Sequence, residues 1–326
     1  MATEVFPWRE APPGDYAVIG DPIAHTKSPA MHHEAYEVLG LDLKYRAIHV
    51  PVGEVPQALE HLRSLGYRGV NVTVPHKAAA LAWAKEPDLF AREAGAANTL
   101  NLITGAATNS DGTGFRFPLT TLRPTPRRTL LLGAGGSAST VLLSLPTRSE
   151  IAIWNRNPER AHRLLRDTIE RLELRSGDAP AQIRDSLGRR VEKTAEELLA
   201  VRRARFARVE VLPQPSLAGF DLIVNATPAS LRGEDLGLDW SQAEPNATAY
   251  ELAYGVDDAP FLSGARRAGL RTIDGRDMLA RQGAIALTWW GVPELAAHAA
   301  SSSKKESRPP FLSVADFTDI MRGALE

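Results

Sequence analysis

The 326-residue chain contains no cysteine. That absence excludes disulfides, thiolate nucleophiles and cysteine-ligated metal centres. It also lacks any apolar run of about 18 residues, so no membrane span is expected. Neither charge is in excess: 38 Lys and Arg stand against 39 Asp and Glu, a formal net charge of −1. No global field therefore draws in nucleic acid or an anionic membrane. The opening residues, MATEVFPWREAPPGD, carry acids and prolines and no continuous apolar core, so they do not read as a secretion signal. A cytoplasmic location is expected. What is present, 44% hydrophobic and 24% charged residues, is the composition of a folded protein with room for two domains and their cores.

Strand-like and helix-like segments alternate, which predicts an α/β protein of two open units, each with a largely parallel sheet. In the first unit the pattern predicts strands at Tyr16–Gly20, 43–50 and 69–74. Helices are expected at 29–39, with Ser28 as N-cap and Pro29 in the first turn, and at 54–65, ended by Gly66. Two more follow at 77–85 and 88–94, then a hairpin of 99–103 and 106–109 around Thr104-Gly105. Arg123-Pro124-Thr125-Pro126 reads as a connector. Beyond it come strands at 129–132, 151–154, 221–224 and 248–253 and a helix at 137–145. Residues 170–207, rich in Arg and Glu, read as a surface insertion with a solvated face. Residues 301–310 read as a polar linker, and 311–325 as a short amphipathic helix that can dock on either unit.

The strand at 129–132 runs into Gly133-Ala134-Gly135-Gly136-Ser137-Ala138, a match to G-x-G-x-x-G/A at a strand-to-helix junction. Gly133 permits the tight turn, Gly135 lets backbone approach a pyrophosphate, and Ala138 keeps the helix close to the sheet. The helix start offers N–H groups and partial positive charge to phosphates. About 20 residues on, where NAD enzymes place an acid for the ribose, this chain has Asn155-Arg156-Asn157 and then Arg160. No carboxylate is there to repel a 2′-phosphate, and Arg156 can pair with one bidentately. The expected cofactor is therefore NADP.

Several motifs occur in one order: Ile19-Gly20-Asp21-Pro22-Ile23-Ala24-His25-Thr26-Lys27-Ser28-Pro29, Asn71-Val72-Thr73-Val74-Pro75-His76-Lys77, Gly95-Ala96-Ala97-Asn98-Thr99 and Asn109-Ser110-Asp111-Gly112. Asn225-Ala226-Thr227-Pro228 and Asp274-Gly275 with Met278, Leu279 and Gln282 follow. Over roughly residues 16–295 the chain resembles the shikimate dehydrogenase family, whose members reduce 3-dehydroshikimate to shikimate reversibly with NADPH, a step of aromatic amino acid biosynthesis. The resemblance implies a discontinuous substrate-binding domain at 1–112 and 274–326. It also implies an NADP-binding Rossmann domain at 113–273.

The resemblance further implies roles for individual residues. Lys77 and Asp111 form the acid–base pair at the reacting hydroxyl. Thr26 and Ser28, with Tyr254 nearby, receive the substrate carboxylate, and Thr73, Asn98 and Gln282 bond ring hydroxyls or carboxylate. Thr227, Gly275 and Met278 join Gly133, Ala134, Gly135, Gly136, Ser137, Asn155, Arg156 and Arg160 at the cofactor. Two positions depart from the family: Thr26 stands for the usual Ser, and Glu251 for a common Asp, an exchange expected to affect packing more than chemistry. His25, His32, His33 and His76 lack a matched carboxylate or Cys set, so no metal site is expected and solvated or capping histidines are.

The partner implied is a small ring acid, in a monomer or homodimer. A quinate or aminoshikimate dehydrogenase of the same family is the alternative. Methylenetetrahydrofolate dehydrogenase shares the architecture but is not expected to carry Ser28, Lys77, Asp111 and Gln282 together. A regulator sensing NADP or shikimate with a retired site is the non-enzyme alternative, and the intact Lys77 and Asp111 argue against it.

Overall fold

The computed structural model describes residues 3–173, 204, 206, 208–256, 258–302 and 312–326. They divide into two units, Met1–Thr121 with Asp274–Glu326, and Leu122–Ile273.

The first unit is built on seven strands: β1 (Val5–Pro7), β2 (Tyr16–Gly20), β3 (Tyr45–His49), β4 (Gly69–Val72), β5 (Glu86–Pro87), β6 (Thr99–Asn101) and β7 (Ala106–Thr108). Their order is β1-β3-β2-β4-β6-β7-β5. β1, β3, β2 and β4 run parallel, and β6 joins antiparallel to β4 and β7. Helices α1 (Ser28–Val38), α2 (Val55–Ser64), α3 (Lys77–Trp83), α4 (Leu89–Ala94) and α5 (Asp111–Leu119) connect or follow the strands. β2 is buried along its whole length, as expected of a central strand covered on both faces.

The second unit carries six strands, β8 (Arg128–Leu132), β9 (Glu150–Trp154), β10 (Glu210–Val211), β11 (Leu222–Asn225), β12 (Thr248–Glu251) and β13 (Arg271–Ile273). All pairs are parallel, in the order β10-β9-β8-β11-β12-β13. Counted within the unit this is 3-2-1-4-5-6, the doubly wound dinucleotide-binding order, whose ligand crevice lies at the carboxyl ends of the strands where the order reverses. Here that is between β8 and β11. Among its described residues the helices are α6 (Gly136–Ser144), α7 (Pro158–Glu173) and α8 (Pro260–Arg267). α7 buries Ala161, Leu164, Thr168 and Leu172, one stripe at helical spacing.

The chain then returns to the first unit through α9 (Arg276–Trp289), α10 (Val292–Ser302) and α11 (Val314–Gly323). α11 starts with a capping box: Ser313 Oγ accepts from Asp316 N–H, and the Asp316 carboxylate accepts from Ser313 N–H. It buries Phe317 and Met321 in one cluster with Met31 of α1 and Leu287 of α9. The docking left open by the sequence is thereby resolved in favour of the first unit.

Some expectations need correction. β4 ends at Val72 rather than 74, and Thr73 N–H donates to Ile19 O as the chain leaves the sheet. Ser28 is not a side-chain N-cap. It is the first helical residue, Lys27 takes the cap position, and no side chain caps α1. The Ser28 N–H is met instead by Thr26 Oγ1 at 3.3 Å. α5 has no counterpart in the sequence pattern. Of the 170–207 stretch, residues 170–173 close α7 and most of the rest lies outside the described residues, as does most of the 301–310 linker. No described helix is long and apolar enough to cross a membrane.

Candidate active site

Two helix starts meet in the first unit. Lys77 opens α3 and Asp111 opens α5, a position where the helix dipole favours negative charge. Lys77 Nζ donates to Asp111 Oδ2 at 2.6 Å. The two side chains are only 12% and 10% exposed, so the pair is short, charge-assisted and largely out of water. The other carboxylate oxygen, Oδ1, accepts from Asn98 Nδ2 at 2.8 Å. The same amide nitrogen lies 3.4 Å from Gln282 Oε1, on a helix 184 positions later.

Gly114 makes that approach possible. A Cβ there would stand 2.8 Å from the Met278 carbonyl oxygen and 3.2 Å from Gln282 Cβ. Real side chains do not tolerate such separations, so a bare glycine lets α5 lie against α9 and brings Gln282 to Asn98.

A second row of polar groups fixes Asn98 from behind. Its Oδ1 accepts from Ser110 N–H at 2.8 Å. Asn71 Nδ2 donates to Asn98 O and Thr99 Oγ1, both at 3.2 Å, and Tyr45 Oη donates to Asn71 Oδ1 at 2.7 Å. Tyr45 stacks on His32 with ring centroids 4.0 Å apart. Asn71 and Ser110 were quoted in the sequence only as members of motifs and Tyr45 not at all; for Tyr45 and Asn71 the available signal was a polar group within an apolar strand.

The histidine expectation is corrected in part. His32 is fully buried and burial pulls its pKa down to about 3, so it is neutral, with its Nδ1 2.9 Å from Ser28 O. His76 is buried too, its Nε2 against Val50 O. Both are core histidines rather than solvated ones. Among the described residues no three His, Asp or Glu side chains gather as a metal site.

Thr26 and Ser28 are buried at the start of α1, linked by the hydrogen bond already described. Thr73 packs its methyl on Gly20, where a Cβ would fall 2.6 Å away. Gly275 precedes α9, and Met278 lies in its first turn. Tyr254 belongs to the second unit, in the loop after β12.

In the second unit Gly133 adopts φ 112° and donates its N–H to Trp154 O at 2.8 Å. A Cβ at Gly133 would meet Ala226 O at 3.0 Å. Both the conformation and the space require glycine. Around Gly135 and Gly136 the space is open, with nothing within 4 Å of an added Cβ. Gly135 caps α6, so Ala134, Gly135, Gly136 and Ser137 present the helix start to that open space, while Ala138 is buried beneath. A pyrophosphate fits such a place. Thr227 Oγ1 donates to Asn225 Oδ1 across the loop after β11. Asn155 Nδ2 donates to Asn157 O, and Arg160 N–H to Asn157 O. Arg156 is more than half exposed and pairs with Glu234 at 2.8 Å.

Glu251, at the end of β12, is held in place by hydrogen bonds. Its carboxylate accepts from Ser230 Oγ at 2.5 Å, Asn225 Nδ2 at 2.6 Å and Ala253 N–H at 2.8 Å. Burial pushes its pKa up from 4.5 to about 6, and these donors only partly offset that. Because the folded value lies above the unfolded one, this group's stabilisation is complete below pH 4.5 and is lost as pH rises through about 6. The loss expected is about 2 kcal/mol. Urea unfolding of the wild type and Glu251→Gln across this range tests it: the difference in stability between the two should change with pH by that amount. A constant difference contradicts the assignment.

Comparison with known proteins adds the following. Residues 18–100 match the family model described as the shikimate dehydrogenase substrate binding domain. A shikimate dehydrogenase (NADP(+)) of Moorella thermoacetica is 34% identical over 291 residues, spanning 86% of this chain and 89% of its own. A protein of the same name from Aromatoleum aromaticum is 37% identical over 294 residues, 86% of this chain and 94% of its own. The crystal structure of shikimate 5-dehydrogenase from Thermus thermophilus in complex with NADP(H) and shikimate superposes with a TM-score of 0.69 at 28% identity. That match covers 95% of this chain and 99% of that one.

Proposed function

This chain belongs to the shikimate dehydrogenase family, and from that premise we propose that it interconverts shikimate and 3-dehydroshikimate with NADP. The observation that carries the proposal is the Lys77–Asp111 pair at 2.6 Å, held by Asn98 beside Gln282. In this reading the first unit binds the ring acid and the second binds the dinucleotide.

The ring acid needs donors for its carboxylate and a proton carrier at the reacting hydroxyl. Thr26 and Ser28, at the start of α1, supply hydroxyls where a helix N-terminus favours an anion. Thr73, Asn98 and Gln282 bond the remaining oxygens. In oxidation Lys77 Nζ takes the proton from the hydroxyl as the C–H bond breaks, leaving a ketone. In reduction it returns that proton to the nascent alkoxide. Asp111 positions the amine and balances its charge. When bound, NADP+ accepts the hydride and NADPH donates it. Gly133, Ala134, Gly135, Gly136, Ser137, Asn155, Arg156, Arg160 and Thr227 would hold the cofactor.

Shikimate and quinate differ at C1, which is flat in shikimate and carries an extra hydroxyl in quinate. Thr26 Oγ1 is turned to Ser28 N–H, and its methyl takes up space a Ser would leave free. A methyl-sized change shifts discrimination by about 1–3 kcal/mol, here against quinate. A spectrophotometric panel of shikimate, quinate and aminoshikimate with NADP+ and NAD+ tests both substrate and cofactor. Shikimate with NADP+ should give the highest kcat/KM. Thr26→Ser should retain shikimate activity and raise kcat/KM for quinate relative to shikimate. A parent that prefers quinate, and loses it on this substitution, contradicts the steric argument.

A further inference from the structure

β8, β9 and β11 are parallel neighbours, so the loops that follow them leave the same edge of the sheet. Arg156 lies two residues beyond Trp154, whose carbonyl accepts from Gly133 N–H in the glycine turn. After β11 the chain makes a short helical turn, Ser230–Arg232, and reverses at Gly233 with φ 64°. Glu234 follows, its N–H donating to Ala229 O at 3.0 Å. Its carboxylate thereby stands between two guanidiniums: Oε2 is 2.8 Å from Arg156 Nη1 and Oε1 is 3.5 Å from Arg232 Nη1. Arg156 and Arg232 are 59% and 63% exposed and Glu234 34%, so a ligand can reach all three.

We propose that Arg156 and Arg232 together form the clamp for the cofactor's 2′-phosphate, and that Glu234 is an internal competitor that occupies the clamp until the phosphate displaces it. This rests on the NADP reading above. Two guanidiniums and one carboxylate leave a surplus positive charge. A phosphate monoester carries about −1.5 to −2 at neutral pH and offers three acceptor oxygens to the carboxylate's two. It balances the pair better and satisfies both planar forks. A cofactor without the 2′-phosphate brings nothing to exchange for the carboxylate. Glu234 therefore weakens NADP binding somewhat while keeping the two arginines from repelling one another in its absence.

Calorimetric titration of the full chain with 2′,5′-ADP and 5′-AMP tests this without turnover. Glu234→Gln should bind 2′,5′-ADP about two- to fivefold more tightly, the scale of losing an exposed competing ion pair, with 5′-AMP unchanged. Arg232→Ala and Arg156→Ala should each weaken 2′,5′-ADP and leave 5′-AMP unaffected. If Arg156→Ala weakens 2′,5′-ADP but Glu234→Gln leaves it equal or weaker, the competitor role is overturned and the NADP reading stands. If Arg232→Ala has no effect, the two-arginine clamp is overturned. If 2′,5′-ADP binds no better than 5′-AMP to the wild type, the NADP reading fails and this inference with it.

Discussion

Lys77→Ala is expected to lower kcat for shikimate oxidation by about two orders of magnitude or more, with a much smaller change in KM. The ammonium group sits 2.6 Å from Asp111 and largely out of water. In the proposed mechanism the neutral amine accepts the hydroxyl proton in oxidation and the ammonium returns it to the alkoxide in reduction, and the substitution removes both. The carboxylate contacts proposed for Thr26 and Ser28 are untouched, which is why binding should change less. Steady-state kinetics decide it: a near-normal kcat in Lys77→Ala removes Lys77 from the chemistry.

Asp111→Asn should cost about 10- to 150-fold in kcat, the range expected from losing one hydrogen bond to a charged group in the transition state. The carboxylate uses both oxygens as acceptors, one from Lys77 Nζ and one from Asn98 Nδ2. An asparagine amide has only one oxygen. Its NH2 must face a second donor, either the Lys77 ammonium or the Asn98 amide, and the negative charge that balances Lys77 disappears. An unchanged kcat in Asp111→Asn, measured on protein shown to be folded, contradicts a role for Asp111 in positioning the amine.

How legible this was in the sequence depended on the kind of constraint. The parallel strands of the second unit are buried on both faces, so they appear as short apolar runs such as Leu130-Leu131-Leu132 and Ile151-Ala152-Ile153. The glycine turn after β8 was readable because a positive φ and close backbone contacts at Gly133 demand that residue. α5 was not readable. Gly112, Gly114 and Pro118 are poor helix formers, and the helix depends on its packing against α9, which no local pattern displays. β1 was missed because three residues ending in proline give no alternation to detect. Ser28 misled because Ser before Pro is an ordinary N-cap signal, whereas Thr26 met the helix's free N–H instead.

The candidate site shows the same division. Nothing in spacing links Asn98 to Gln282, 184 positions apart; family motifs suggested both, and the fold brings them together. The ties from Tyr45 through Asn71 to Asn98 are tertiary, and no spacing in the sequence joins the three. Arg232 and Glu234 belong to none of the motifs, and only the return of the chain at Gly233 sets them against Arg156.

The most direct measurement uses the purified full chain with NADP+ and shikimate carrying deuterium on the carbon whose hydroxyl is oxidised. Mass analysis of the nicotinamide product should find that deuterium transferred to NADPH, with 3-dehydroshikimate formed in equal amount. Shikimate left unoxidised by an intact, folded protein that binds NADP+, or NADPH formed without the label, would contradict the account.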